Sequence, residues 1–424
     1  MLDINFILQN PEKIKKAARD KNLDPTIVDQ LIETDKKRRQ LIIEIQKVRE
    51  EKNNFEKSIK AKPDQATIEK GKDFKKKLAA LEPVLRDAEK EFNLLMISIP
   101  NVPDESVPIG KSAADNVEIR KWGEIPKFDF KPKNHVELGQ ALDLIDFERG
   151  TKLAGFRGYC LKNEAVLLHL GVIMYALEKL TVKGLTPLVP PVLDKEFCFI
   201  NTGHFPWGKK EAYETSTGEK KEDIRWLAGT AEVPLVSYHS GEVLNEKDLP
   251  IVYAGFSPCF RREIGSYGKD TKGMFRIHEF LKVEQVVLCK NDWKESGIWH
   301  ETLLANAEEL LHDLELPYRA MLMCTGEMGE PQVKKYDIET WMPGRGQYGE
   351  TMSDSNMGDF QARRANIRFR SVKGKLEYPH MLNNTAIASP RILIPILENY
   401  QTKEGWVRVP KVLQKYVGKE IIKR

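Results

Sequence analysis

The chain has 424 residues, 41% hydrophobic and 31% charged, which is too long for one ordinary core and fits globular domains with a heavily charged surface. The net charge of +4 is concentrated: residues 1–100 hold 22 Lys+Arg against 18 Asp+Glu, and the two signs balance over the rest, a mild pointer to a polyanionic partner at that end. Five widely spaced cysteines and eight histidines without helical ligand spacing argue against zinc sites and disulfide frameworks, and no apolar run nears the roughly 18 residues of a membrane span, so a cytoplasmic protein free of membranes is expected.

In chain order, the first clear pattern is a pair of four-three ladders. Ile27, Leu31, Leu41, Ile45, Val48, Phe55 and Ile59 make the first, with polar rungs at Thr34, Arg38 and Lys52. After a break at Lys62-Pro63-Asp64, Phe74, Leu78, Leu81, Leu85, Ala88, Phe92, Leu95 and Ile99 make the second. Apolar seams at this spacing, flanked by Lys and Glu, predict a coiled coil. The short proline-containing connection makes the two helices antiparallel neighbours about 50 Å long, with a local kink expected at Pro83. Such an arm is either a dimerisation scaffold or a basic lever for structured nucleic acid, read by shape through its phosphates. Pro100, Pro103 and Pro108 mark a linker, dividing an arm over residues 1–105 from a second domain over 106–424.

Beyond the linker the pattern changes to short strands, a few amphipathic helices and Gly/Pro turns. Residues 251–254 and 282–288 read as strands and 294–314 as a helix. Few crossover helices lie between neighbouring strands, which favours an antiparallel sheet in an α+β domain. Neither glycine-rich phosphate-loop pattern is present. Phe260-Arg261-Arg262-Glu263, a polar loop over 264–273, and a return strand from Met274 to Gln285 predict a hairpin. Alternation puts Arg261 with Glu263, and Arg276, His278, Phe280, Lys282 and Glu284 together, leaving Ile277, Leu281 and Val283 on the other face. The polar face is either a nucleotide platform or an ordinary solvated sheet surface. His278 reads as structural.

These residues carry a resemblance. The Phe-Arg-x-Glu strand and the Arg-x-His-x-Phe-x-Lys-Val-Glu return strand resemble motif 2 of class II aminoacyl-tRNA synthetases, in the form found in seryl-tRNA synthetases of bacterial type. Residues 184–191, ending in a double proline, are similar to the dimer-forming motif 1. Thr202-Gly203, Phe205-Pro206 and Thr230-Ala231-Glu232 look like the family's signature turns. Residues 350–356 and 359–364 resemble its metal-and-ATP segment, and residues 382–391 with 397–401 resemble motif 3. With the arm, the resemblance covers nearly the whole chain.

What the resemblance implies is an N-terminal antiparallel coiled-coil hairpin that binds tRNA(Ser), and tRNA(Sec), joined to a class II antiparallel-sheet catalytic domain. The implied activity is ATP-dependent conversion of L-serine to seryl-adenylate, then transfer of serine to the tRNA 3′ end. It also implies a homodimer. Carried over by position, Arg261 neutralises the ATP α-phosphate and Arg276 contacts the phosphates. Phe280 and Arg391 sandwich the adenine, and Glu263 hydrogen-bonds its edge. Glu350 and Ser353 hold Mg2+. Thr230 and Glu232 line the amino-acid pocket, Glu284 and Thr385 meet the serine hydroxyl, and Asn383 lies beside them.

The chain departs from the pattern at three places, the third being Ser389-Pro390 before Arg391, where a glycine is common. Met352 and Asp354 stand where a serine and a cysteine are usual. Asn384 and Ala386 replace glycines around Thr385, with the expectation of a narrower serine pocket. Ser389 and Pro390 predict a helix start, as N-cap and first helical residue, which leaves Pro395 inside the helix. Two other readings compete: a relative that loads a different amino acid or a carrier protein, and a non-catalytic regulator built on the coiled coil.

Overall fold

The computed structural model describes residues 1–60, 63–215, 223–264 and 272–424. The loop expected at 264–273 therefore lies outside the described residues over 265–271, as do residues 61 and 62 of the break between the ladders. The chain divides into two compact units, Met1–Pro100 and Asn101–Arg424.

In the first unit two short helices, α1 (Ile4–Gln9) and α2 (Pro11–Asp20), precede two of 33 residues each, α3 (Thr26–Ser58) and α4 (Gln65–Ile97). The ladders lie where the spacing put them: Leu31, Ile45, Val48, Phe74 and Ala88 are buried. At the start of α3, Val28 is buried and Ile27 only half-buried. Contacts between the two helices include Arg49 Nη2 to Glu82 Oε1 at 2.9 Å and the rings of Phe55 and Phe74 at 5.8 Å. The polar rung Arg38 spreads its guanidinium over Phe92, 4.2 Å from the ring centroid, so an arginine fills an apolar position through cation–π contact. Helix α4 runs unbroken through Pro83. That residue and Ala79, whose carbonyl loses its partner, are both exposed, so the freed acceptor lies open to solvent.

In the second unit, α5 (Glu164–Val182), α6 (Glu196–Thr202), α7 (Glu232–Ser237), α8 (Trp293–Asp313), α9 (Phe360–Ala365) and α10 (Leu393–Asn399) surround a sheet. Its strands are β1 (Val117–Trp122), β2 (Thr186–Leu188), β3 (Ile251–Phe260), β4 (Glu279–Cys289), β5 (Tyr318–Leu322), β6 (Lys334–Met342), β7 (Gln347–Asn356) and β8 (His380–Ser389). Among the described residues they lie in the order β1-β5-β6-β7-β8-β4-β3-β2. All neighbours are antiparallel except β2 and β3.

One face of this sheet makes the core. Leu168, Val172 and Leu180 of α5 and Leu304, Leu310 and Leu311 of α8 join Val283, Ile338 and Ile387 of the strands in one apolar cluster. Helix α5 corrects an expectation: with 19 residues it is, among the described residues, the one helix long and apolar enough to cross a membrane by length and composition. Glu164, His169, Glu178 and Lys179 interrupt it in sequence, which hid the run. In the fold, one side of it is core.

The expected helix start at Ser389 is also corrected. Ser389 is the last residue of β8 and α10 begins at Leu393. The Ser389 hydroxyl meets His169 Nδ1 at 2.8 Å instead of capping a helix. Because the helix starts later, Pro395 falls in its first turn, where a backbone N–H has no intrahelical acceptor and proline removes nothing. Replacing Leu310 with Ala, fully buried between α8 and the sheet, is expected to destabilise this unit by about 2–5 kcal/mol. Denaturant midpoints of parent and variant measure it.

Candidate active site

The motif hairpin is shorter than alternation suggested. Strand β3 stops at Phe260 and β4 begins at Glu279. The last cross-strand contacts are Arg261 N to His278 O at 2.9 Å and His278 Nδ1 to Arg261 O at 3.0 Å, which gives His278 its structural role. Beyond them the amides find other acceptors: Arg262 N bonds Glu211 O, and Met274 N bonds His135 Nε2 at 3.2 Å. Glu263 adopts a left-handed φ of 54°. Alternation therefore fails outside the strands, and Ile277, assigned to the apolar face, lines the polar cleft with Phe275.

Inside the strands alternation holds. Phe280, Lys282 and Glu284 line a cleft of about 360 Å³ on the sheet face opposite the apolar core, together with Thr230, Glu232, Arg261, Glu263, Glu350, Ser353, Asn383, Thr385 and Arg391. Of the residues singled out in the sequence, Arg276 alone lies off this lining. It borders an adjoining cavity with Arg261 and Glu263, and its Nη1 donates to Glu263 Oε2 at 3.1 Å.

Two β-bulges make this lining possible. Glu350 and Ser353 are three apart, which on a regular strand puts them on opposite faces. Pairing of β6 with β7 matches Asp337 to Ser353 and Ile338 to Met352, then skips Thr351 and matches Glu339 to Glu350. The skipped residue restores both side chains to one face. Likewise β4 pairs with β8 as Val283 to Ile387, then Glu284 to Thr385, leaving Ala386 unpaired. Asn384 and Ala386 are fully buried and are not part of the cleft lining, so they do not narrow the serine pocket as expected. Neither has positive φ among the described residues, so side chains are accepted there without backbone strain.

At the floor of the cleft Lys282, absent from the sequence-derived set, is the hub. Its Nζ donates to Thr230 Oγ1 at 2.7 Å and to Thr385 Oγ1 at 3.3 Å, and it forms an ion pair with Glu284. Thr385 Oγ1 in turn donates to Glu284 Oε2 at 3.2 Å. Glu284 is 2% and Lys282 4% exposed. Burial pushes the Glu284 carboxyl above the usual range against the pull of Lys282. Glu232 is raised for the same reason; its Oε1 accepts from Gln361 Nε2 at 2.7 Å and Asn383 Nδ2 at 2.9 Å. The sequence held a signal for Lys282, two residues before Glu284 on the same predicted face. Gln361 lay in a segment with no periodic pattern to mark its direction.

The other end of the cleft is cationic. Arg261 lies over the Phe280 ring and Arg391 over Phe275, 5.4 and 4.8 Å from the centroids. Arg391 Nε donates to Phe275 O at 3.0 Å. Burial acts to raise the Glu350 carboxyl, but Arg391, Lys335, Arg261 and Arg276 outweigh it and hold the group below the usual range, charged. Burial lowers Arg391 in turn, with Glu350 opposing. On the same sheet face Asp337 is pushed up by burial, against the Lys335 ammonium 2.9 Å away.

A carboxylate–hydroxyl pair at one end, arginines and an anionic carboxylate at the other, and an aromatic ring between them suit an amino acid and a nucleoside triphosphate end to end. The description "Seryl-tRNA synthetase N-terminal domain" matches residues 1–103, and "tRNA synthetase class II core domain (G, H, P, S and T)" matches residues 213–400. A serine–tRNA ligase of Deinococcus radiodurans is 46% identical over 421 residues, covering 99% of this chain and 98% of that one. The chain belongs to the seryl-tRNA synthetase family. The seryl-tRNA synthetase of Pyrococcus horikoshii, solved with ATP, shares the fold with a TM-score of 0.90 at 41% identity, covering 100% of this chain and 99% of that one. The cytoplasmic serine–tRNA ligase of Naegleria fowleri, solved with AMP, gives 0.87 at 32% identity, with the same coverage. A Giardia lamblia prolyl-tRNA synthetase at 15% identity, covering 66% of this chain and 54% of its own, gives 0.56 and shares the fold alone.

In a synthetase with this floor, Lys282→Met strands Glu284 without its counter-charge, at a cost of about 3–5 kcal/mol. The Glu284 pKa then rises further. A carboxyl raised in the folded state contributes stability at low pH that is lost as pH climbs through its folded pKa. The variant's Tm is therefore expected to lie nearest the parent's in acid and to fall progressively below it as pH rises; a gap that is the same at all pH values contradicts this.

Proposed function

We infer that the chain is an ATP-dependent serine–tRNA ligase that joins L-serine to ATP as seryl-adenylate and then passes serine to a tRNA 3′ end. The observation that carries this reading is the buried Lys282–Glu284–Thr385 floor facing the cationic Arg261–Arg391 end of one cleft. Serine's carboxylate is itself the nucleophile, so attack on the α-phosphorus needs no general base. A carboxylate oxygen bonds to phosphorus as the bond to the leaving oxygen breaks, and pyrophosphate departs. What the residues contribute is alignment and charge stabilisation. Arg261 offsets charge on the phosphate oxygens, Phe280 and Arg391 hold the adenine from its two sides, Glu263 meets its edge, and Arg276 contacts the phosphates from the adjoining cavity. Glu232 receives the substrate ammonium, with Thr230 and Asn383 beside it.

In the second step a terminal hydroxyl of the tRNA attacks the acyl carbon of the adenylate, and AMP leaves. Glu284 and Thr385 hydrogen-bond the serine hydroxyl. Alanine leaves those buried groups unpaired, and a site built this way rejects the analogue by roughly 10⁴–10⁵.

The donor set also fits Mg2+, a hard cation that takes oxygen ligands. Glu350 is held charged, Ser353 shares its face, and Asp337 Oδ1, buried and without a hydrogen-bond partner among the described residues, lies in register with Ser353. Glu350 and Ser353 hold the ion in this reading, and when bound it offsets triphosphate charge. The arm engages tRNA(Ser), and tRNA(Sec), through phosphates and shape. The division of labour runs between an arm over residues 1–105 and a catalytic domain over 106–424. A homodimer is supported by apolar exposure along α5, where Leu167, Leu170 and Met174 are 43%, 48% and 47% exposed, beside the edge strand β2; the compartment this reading assigns is the cytoplasm.

Amino-acid-dependent ATP–pyrophosphate exchange, run with each standard amino acid in turn, is expected to respond to serine alone. Exchange with a different amino acid, or none, rejects the assignment. Deleting residues 30–95 is expected to leave exchange intact and abolish tRNA charging, and equal loss of both sinks the division of labour between arm and catalytic domain.

A further inference from the structure

Strands β4, β7 and β8 are polar on both faces at one level of the sheet. Behind Glu284 lies Gln285, and behind Thr385 lies Asn384; the two are paired across the ladder, and Asn384 is in turn paired with Asp354 of β7. Gln285 and Asn384 are 0% exposed. Gln285 Nε2 donates to Asn384 Oδ1 at 2.7 Å and to the Leu303 carbonyl of α8 at 3.2 Å, and its Oε1 accepts from Asn306 Nδ2 at 2.8 Å. One amide therefore ties two strands and a helix together at a single point.

That point is one pairing step from the bulge at Ala386. A bulge leaves one residue unpaired and disrupts the local ladder. Closing the bulge slips this end of β8 by one residue, so that Ala386 meets Glu284 and Thr385 meets Gln285; Thr385 then leaves the cleft face and Asn384 leaves Gln285. An apolar residue behind the sheet carries no directional preference that resists such a shift, whereas a buried hydrogen bond is lost outright when its partner moves. Asn384 stands where the resemblance leads one to expect glycine, so this acceptor for Gln285 is a feature of the chain's own side chains.

We propose that Asn384, with Gln285 and Asn306, is a positioning residue for serine selectivity: it locks the β8 bulge in register from behind the sheet and so holds Thr385 opposite Glu284. The inference rests on the reading of Glu284 and Thr385 as the partners of the serine hydroxyl. Asn384 touches no substrate, and its action passes through Thr385.

The test is ATP–pyrophosphate exchange with serine and with alanine on the full chain, comparing Asn384→Ala, Thr385→Ala and the double variant. Expected for N384A is a rise in the serine KM of about tenfold and a similar fall in the serine-to-alanine kcat/KM ratio, with the ATP KM within about twofold of the parent's. In the T385A background the same substitution is expected to change selectivity no further, because its route is already gone. Loss of kcat or thermal stability with serine KM and selectivity unchanged makes Asn384 merely structural and overturns the proposal, as does an additive double variant. If T385A itself leaves serine KM and selectivity untouched, the reading of the pocket fails, and that result is distinct from a failure confined to N384A. Should N384A not fold, Asn306→Ala at the outer end of the relay carries the same comparison.

Discussion

Side chains on a β-strand point alternately to its two faces, and in this molecule a single antiparallel sheet has to satisfy both. One face closes an apolar core against α5 and α8; the other is the floor of a charged cleft. Each central strand therefore reads as an interleaving of two unrelated requirements. On β4, Lys282 and Glu284 serve the cleft while Val283 and Val287 serve the core, and neither set can be altered without register to keep it from the other. The bulges at Thr351 and Ala386 are where the alternation is reset, and both lie beside the cleft. Without them Glu350 and Ser353, or Thr385 and Ala388, cannot face the same side.

The electrostatics follow from that placement. Charged groups on the cleft face lie low enough to be desolvated, and each carboxylate is found with a partner. Glu284 has Lys282, Glu350 lies among Arg391, Lys335 and Arg261, and Glu263 is bonded by Arg276 with Arg157 Nη1 3.4 Å away. Buried pairs of this kind contribute little net stability against apolar substitutes, and breaking one is costly. Their value lies in preorganisation: the hydroxyl-recognising pair and the phosphate-facing arginines are already oriented before substrate arrives.

The sites at which the chain departs from its family pattern lie on or behind this same sheet. Asn384 and Ala386 take positions where glycine is usual, and the backbone tolerates side chains because neither residue is left-handed. Met352 joins the apolar core cluster as well as bordering the cleft, and Asp354 pairs in register with Asn384. Two departures that look independent in sequence are thus neighbours across β7 and β8. Substitutions so placed act on strand registration before they act on pocket volume.

The coiled-coil arm was legible from sequence because its seam repeats over many turns, and a helix of that length needs nothing but its own spacing to be recognised. The α+β sheet, the strands β3 and β4 and the long helix α8 were legible for the same reason, as periodic patterns. The residues of the cleft came from ordered motifs, and all but Arg276 line it together. Sequence could not determine where periodicity stops. The ends of β3 and β4, the inward turn of Ile277, and the start of α10 after Ser389 depend on which distant acceptor takes each backbone amide, such as His135 for Met274. Nor could it determine the bulges, since an unpaired residue is defined only by the partner strand it fails to meet. Lys282 became the hub of the floor for that reason too: its partners Thr230 and Thr385 come from segments 52 and 103 residues away, and only the folded sheet brings them within hydrogen-bonding distance.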